Sequence, residues 1–378
     1  MKGPISLPTK RSLRTSDPLK ILVIRFKYIG DVLLTSVICN TLKESFPYAT
    51  VDFLMHEAAA ELFANHPYID TVIALTREQQ KNPIAYWQVL RQISSRRYDL
   101  IVDAQSTAKS ELVSLFAGRQ AVRIGRKKPF RGISYTHATE SRAATDNKIE
   151  ERLNLLKPLE RYGITLKRND QMCVAVHRDA QAYYRLELLK RGVDFQRPLF
   201  AVSISAKLDY KKWQFEHFNL VVEHCVNHYN AQIVLTAGGP GERIDARAFA
   251  SQYPQRDRLS YYLETVELRQ LAAFFSLCSL YIGNEGGPRH IAQAAGIPTV
   301  SVFSPSAKKV EWLPAKSPLH RGIEWDDLSS LSVEDKAQIH KNLDIGSHEY
   351  YALYHSITSE SVIALVDEVC VAAEINHV

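Results

Sequence analysis

The sequence predicts an α/β protein made of two parallel-sheet domains in tandem. Three observations carry this. Short apolar runs, beginning with Ile21–Ile24, alternate with longer segments of helical pattern, as in parallel strands joined by crossover helices. The rhythm fills the first third of the chain, weakens, and begins again at Leu199. In each half one strand enters a helix through a short glycine-bearing junction, at Arg25–Asp31 and at Gly283–Pro288. Ligands of open parallel sheets bind beyond the carboxyl ends of the strands, so these junctions are where chemistry is expected.

The totals agree with two domains. The chain has 378 residues, 46% hydrophobic and 23% charged, which is ordinary for a globular protein. Net charge is only +6, so the placement of basic residues matters more than their excess. Five cysteines stand far apart with no Cys-x-x-Cys pair, which suggests neither a zinc site nor a disulfide framework and fits a reducing cytosol. No apolar leader or run of transmembrane length is present, so neither secretion nor a spanning helix is expected.

Residues 1–19 carry Pro4, Pro8 and Pro18 with Lys2, Lys10, Arg11 and Arg14, and read as a flexible basic tail that can touch an anionic membrane. Ile21–Ile24 suits a strand buried on both faces. Val32–Phe46 reads as a helix with Val32, Leu33, Val37, Ile38 and Leu42 inward, stopped by Pro47. Between them lies a polar turn, with Gly30 at the bend and Asp31 at the helix start. Asp31 has two readings, a helix cap or a carboxylate placed where a base meets a substrate.

Further strands are expected at 51–54, 71–75, 100–103 and 121–124, and helices at 58–64, 84–97 and 109–116. No Gly-x-Gly-x-x-Gly follows the first strand, so a dinucleotide fingerprint is missing. Arg123, Arg126, Lys127, Lys128 and Arg131 surround Gly125 and Pro129 in a basic loop, either solvated surface or a dock for phosphates. A helix over Glu150–Tyr162 ends at Gly163. The domain boundary is expected between 170 and 195, giving a first domain over 20–180 and a second over 190–350.

In the second half, strands are expected at 199–205, 232–236, 258–262, 280–283 and 299–303, and helices at 215–229, 242–250, 266–277 and 288–295. Residues 305–350 read as loop-rich and polar, with weak signals. A last helix starts at Thr358 or Ser359 and runs through Val369. Three places carry candidate chemistry. Beyond the strand ending at Ser205, Lys207 and Lys211 offer ammonium groups to a diphosphate. The loop holding Gly238, Gly239 and Gly241 leads to Glu242, whose carboxylate suits ribose hydroxyls or simply complements a helix dipole. At the third, Asn284 and Glu285 are followed by Gly286 and Gly287, and Pro288 sits in the helix's first turn, where it is tolerated. Free first-turn amides there form an anion site. The competing readings are a plain turn and, for His290, a packed or exposed helix histidine.

Two stretches, ILVIRFKYIGDVLLTSVICNTLKESFP and GNEGGPRHIAQAAGIPTVSVF, together with VSISAKLDYKKWQFEHF and Glu150–Gly163, resemble the lipopolysaccharide heptosyltransferases. These are inverting glycosyltransferases of the GT-B fold, and the third-heptose branch is the most similar. The resemblance covers nearly the whole chain after the tail. It implies two Rossmann-like, doubly wound domains facing a central cleft, with acceptor on the first and ADP-heptose, as co-substrate, on the second. It makes Asp31 the general base and sets Lys211 toward the donor phosphates, with Ser205 and Lys207 near a hydroxyl pair and Glu242 on the ribose. The family pattern G-N-D-[TS]-G-P-x-H falls on Gly283–His290, so that Glu285, Gly286, Gly287 and His290, with Gly239, are donor-binding. Glu285 is one methylene longer than the family's Asp, and Gly286 lacks its hydroxyl.

The acceptor implied is a lipid A–core oligosaccharide, whose phosphates meet Lys27, Arg126, Lys127, Lys128 and Arg131. A cytoplasmic enzyme peripheral on the anionic inner-membrane surface follows. The helix over 358–378 is expected to pack back toward the first domain and tie the halves at a hinge, with closure excluding water. No Asp-x-Asp motif appears at these sites, so no obligatory metal or other cofactor is expected. No nucleic-acid module is present. Two alternatives stay open. Glu285 and Gly286 keep a transferase or epimerase using a UDP or GDP sugar. A catalytically silent nucleotide- or saccharide-binding homologue is opposed by the presence of Asp31, Lys211 and Glu242.

Overall fold

The computed structural model describes residues 12–27, 29–128, 134–140, 146–253, 259–264 and 268–376. Arg131 of the basic loop and residues 1–11 of the expected tail lie outside them. The chain divides into two compact units, Met1–Ala175 and Val176–Val378. The segment after His177 opens the second unit.

In the first unit the order is β1 (Lys20–Arg25), α1 (Ile29–Ser45), β2 (Thr50–His56), α2 (Glu57–Ala60), β3 (Thr71–Leu75), α3 (Arg77–Lys81), α4 (Pro83–Ser95), β4 (Leu100–Asp103), α5 (Ala108–Ala117), β5 (Val122–Arg126), β6 (His137–Thr139) and α6 (Lys148–Leu153). The strands pair in parallel in the order β3-β2-β1-β4-β5-β6. Continuous apolar runs serve such strands because helices cover both faces. Ile21, Leu22, Val23 and Ile24 are fully buried.

In the second unit the order is α7 (Arg178–Lys190), β7 (Leu199–Ser203), α8 (Phe215–Tyr229), β8 (Gln232–Ala237), α9 (Pro240–Gln252), β9 (Leu259–Glu264), α10 (Leu268–Phe275), β10 (Leu280–Asn284), α11 (Gly287–Ala294), β11 (Thr299–Val302), α12 (Lys309–Trp312), β12 (His320–Ile323), α13 (Trp325–Leu328), α14 (Val333–Asn342), α15 (His348–His355) and α16 (Ser359–Ala372). The second sheet runs β12-β11-β10-β7-β8-β9, again all parallel. Counted from its own first strand, this is the order of the first sheet. Both are doubly wound sheets of the Rossmann type, as the sequence predicts. The winding reverses between β1 and β4 in one and between β7 and β10 in the other, and ligands bind at such switch points.

Several elements differ from the expectation, each for a local reason. Helix α1 begins at Ile29, so Gly30 lies in its first turn and not at a bend. The helix expected over Glu150–Tyr162 is α for one stretch and then 3-10 over Asn154–Tyr162, because Pro158 removes an amide donor inside it. Residues 305–350 hold more regular structure than a loop-rich reading suggests. They hold α12 to α14, the start of α15 and the edge strand β12. The sequence hides them because α14 buries no residue and the edge strands β6 and β12 are short and polar. The end of the expected tail is packed: Leu13 and Leu19 are buried. The apolar face of α16, expected to lie toward the first domain, packs on α8, β11 and β12 of its own unit, burying Val362, Val366, Val369 and Cys370. Among the described residues no helix is long and apolar enough to cross a membrane.

Candidate active site

At the first switch point, β1 ends in Arg25 and α1 carries Asp31 in its first turn. The Asp31 side chain turns to two arginines. Its Oδ1 accepts from Arg25 Nη2 at 2.5 Å and from Arg152 Nη2 at 3.3 Å, while Oδ2 takes part in neither contact. Arg25 is fixed in turn by donating from Nη1 to the Ala104 carbonyl at 2.8 Å. Burial alone would push the Asp31 carboxyl up. The charges of Arg25, Arg152 and Lys27 and the Arg25 hydrogen bond outweigh it and hold the group below its ordinary value. Asp31 is therefore a carboxylate at neutral pH, with Oδ1 taking both of these hydrogen bonds.

Arg152 comes from α6; its burial, together with the charges of Arg25 and Arg126 beside it, pulls its guanidinium down to about 10. Arg126 pairs with Glu151, and Arg152 Nη1 stands 3.6 Å from the same carboxylate. Arg126 belongs to the basic loop read as solvated surface or a dock for phosphates, and its side chain is mostly buried in this pairing. Arg123, expected in the same loop, is buried and donates to the carbonyls of Gly118, Arg119 and Ser134. Of the remaining members, Lys127 is exposed and Lys128 half-buried. Lys27 is exposed at the other side of the junction. Arg25, Lys27, Arg126 and Arg152 thus surround two carboxylates, Asp31 and Glu151.

At the second switch point, Ser205 lies just beyond β7 and Glu285 just beyond β10. Lys211 pairs with Glu285. The extra methylene of Glu285 carries its carboxylate to that ammonium. Asn284 is buried and holds the strand ends together: its Nδ2 donates to the Ile204 carbonyl at 3.0 Å, and its Oδ1 accepts from Trp213 N at 3.0 Å and Tyr354 OH at 3.1 Å. Tyr354 OH also reaches the Lys211 carbonyl at 3.0 Å, so the backbone carrying Lys211 is fixed from α15. Gly286 and Gly287 open α11 with Pro288 in the first turn. The first-turn amides have no partner within the helix and point beyond the strand ends.

The other donor-side candidates are placed as follows. Ser205 Oγ donates to Asp245 Oδ2 at 2.5 Å, and Lys212 Nζ meets the same oxygen at 2.7 Å. Lys207 is exposed. Gly239 caps α9, which begins at Pro240, two residues earlier than expected. Glu242 Oε2 accepts from Gly238 N at 2.8 Å, closing its own loop. His290 is buried against Arg289 and the edge of Trp312, and burial pushes its pKa far down, so it is a neutral, packed ring. Sequence reasoning missed Arg25, Arg152, Glu151, Asp245 and Arg289. The Arg289 guanidinium meets Gln293 Oε1, the His290 ring and the Trp312 carbonyl, and burial brings it down to about 10.

Gly283 makes the close approach of β10 to β7 possible. A Cβ there would stand 2.7 Å from the Ser203 carbonyl and 2.8 Å from Tyr281 OH. Since backbone must move, Gly283→Ala is expected to cost about 1–3 kcal/mol in chemical denaturation.

Comparison with known proteins bears on this geometry. The sequence model of glycosyltransferase family 9 (heptosyltransferase) matches residues 86–320. Lipopolysaccharide heptosyltransferase 3 of Escherichia coli K12 is 24% identical over 305 residues, 76% of this chain and 83% of that protein. The crystal structure of the glycosyl transferase family 9 from Veillonella parvula superposes with a TM-score of 0.80 at 18% identity, covering 96% of this chain and all of that one. E. coli heptosyltransferase WaaC with ADP-2-deoxy-2-fluoro heptose gives a TM-score of 0.65 at 16% identity, over 93% of this chain and 99% of that one.

Proposed function

The chain belongs to glycosyltransferase family 9, the heptosyltransferases, and from that membership we propose that it moves a heptosyl group from ADP-heptose to the inner core of lipopolysaccharide, with Asp31 as general base. One observation carries the reading: an ionised carboxylate at the first switch point, held on one oxygen by Arg25 and Arg152. Oδ2 accepts the proton of an acceptor hydroxyl while its oxygen attacks the anomeric carbon from the face opposite the diphosphate. The new C–O bond forms as the bond to the diphosphate breaks, and ADP leaves with the electron pair. The configuration inverts.

The leaving diphosphate gains charge in the transition state. Lys211, held by Glu285, and the amides opening α11 are the groups proposed to receive it. The structure of E. coli WaaC with ADP-2-deoxy-2-fluoro heptose supports an adenine nucleotide sugar as donor. On the acceptor side three largely buried arginines, Arg25, Arg126 and Arg152, meet two carboxylates, and a buried surplus of positive charge is costly unless an anion completes it. An inner-core acceptor carrying phosphate or carboxylate supplies that anion. Lys127 and Lys128 extend the positive surface toward the anionic face of the inner membrane, where the enzyme acts as a peripheral protein.

Two measurements test this. Adenine nucleotides raise the melting temperature, since a ligand at a hundredfold excess over Kd adds about 2.7 kcal/mol, and a rise with UDP or GDP alone contradicts the donor. The double variant Lys127→Glu, Lys128→Glu raises the acceptor KM and spares the donor KM. An unchanged acceptor KM returns these lysines to plain surface.

A further inference from the structure

Helix α8 carries two histidines, His224 and His228, four residues apart and therefore on one face. Their rings stack with centroids 4.9 Å apart and planes 20° from parallel. From α16, packed alongside, Asp367 reaches the same point. Its Oδ1 lies 2.8 Å from His224 Nε2 and accepts from Tyr229 OH at 2.7 Å. One ligand atom from each of the three side chains lies within 4.8 Å of the others. Among the described residues they are the one group of three histidine, cysteine or acidic side chains so gathered. His228 is exposed and the other two half-buried, so the cluster opens to water on one side.

We propose that His224, His228 and Asp367 bind a divalent transition-metal ion of the zinc class, which clips α16 to α8. Two imidazoles and a carboxylate are a donor set that zinc accepts, with water completing a tetrahedron on the open side. The ion replaces the proton that His224 Nε2 shares with Asp367, because a ligating imidazole must be unprotonated at the binding nitrogen. Tyr229 OH then orients the carboxylate from behind, as hydrogen bonds to metal ligands commonly do. His228 lies in the last turn of α8, close to the amino ends of the strands. That is the opposite end of the sheet from Lys211 and Glu285, so the ion serves stability and takes no part in transfer. The sequence signal is the His-x-x-x-His spacing within α8, matched by an acidic residue 139 positions beyond His228.

The test is calorimetric titration of the full chain, stripped with chelator, with ZnCl2, alongside thermal melting. One tight equivalent is expected, and at a hundredfold excess over Kd the melting temperature rises by about 5–10 °C. Both effects disappear in His228→Ala, an exposed change, and in Asp367→Asn, which keeps the shape of the side chain. Either no tight equivalent in the parent, or the same heat and shift in the parent and both variants, overturns the proposal.

Discussion

Asp31→Asn is expected to lower kcat for heptosyl transfer by about 10²–10⁴, the range general-base assistance supplies, while ADP affinity stays unchanged. The carboxamide keeps the size of the side chain and loses the proton-accepting oxygen. ADP affinity is spared because Asp31 belongs to the first unit, whereas the proposed donor contacts between Ser205 and His290 belong to the second. Rates under saturating substrates and ADP titrations separate the two quantities. Loss of ADP binding with turnover contradicts a purely catalytic role.

The acid limb of kcat/KM follows from the same contacts. A base works only when ionised, and Asp31 is held below the ordinary aspartate value of 3.8. Activity should therefore persist as pH falls from neutrality and drop only below that value. Arg25→Gln removes a charge and a hydrogen bond that favour the carboxylate, leaving burial, which raises the pKa, less opposed. The limb then moves to higher pH. Profiles of kcat/KM for the parent and this variant show it, and coincident limbs contradict the assignment.

Lys211→Ala is expected to reduce kcat by about 10²–10³, the usual loss when one preorganised group facing developing charge is removed, and to raise the donor KM as well. Two effects combine. The departing diphosphate loses an ammonium, and Glu285, whose side chain is only 11% exposed, loses its cation and repels the anion that approaches. Glu285→Gln keeps Lys211 and is the milder change. Steady-state kinetics with varied donor distinguish the pair. Equal losses in both variants contradict the primary role of Lys211.

Much of this architecture is legible in the sequence. Ile21–Ile24 and Leu100–Asp103 announce themselves as strands because both faces are covered, so that nearly every position is apolar. Elements that bury little leave no such mark. Helix α14 has no buried residue, and β6 and β12 pair on one side only. The junction holding Asp31 is visible locally, but its electrostatics are not. Arg152 stands 121 positions away in sequence and arrives through α6, and no spacing rule joins it to Asp31. Arg126 reads from the sequence as solvated surface or a phosphate dock because Glu151, its partner, lies outside the loop, 25 positions further on. The Asp31 junction and the Gly286–Gly287 helix start emerge from local pattern. The Lys211–Glu285 pair needed the β7–β10 adjacency that only the fold creates.

The central claim is heptosyl transfer from ADP-heptose with Asp31 as the base. Its most direct test is mass spectrometry of a defined lipid A–core acceptor incubated with ADP-heptose and either the parent or Asp31→Asn. The account predicts acceptor carrying one added heptose with the parent and almost none with the variant. Equal product from both, or product only when a UDP or GDP sugar replaces ADP-heptose, would contradict it.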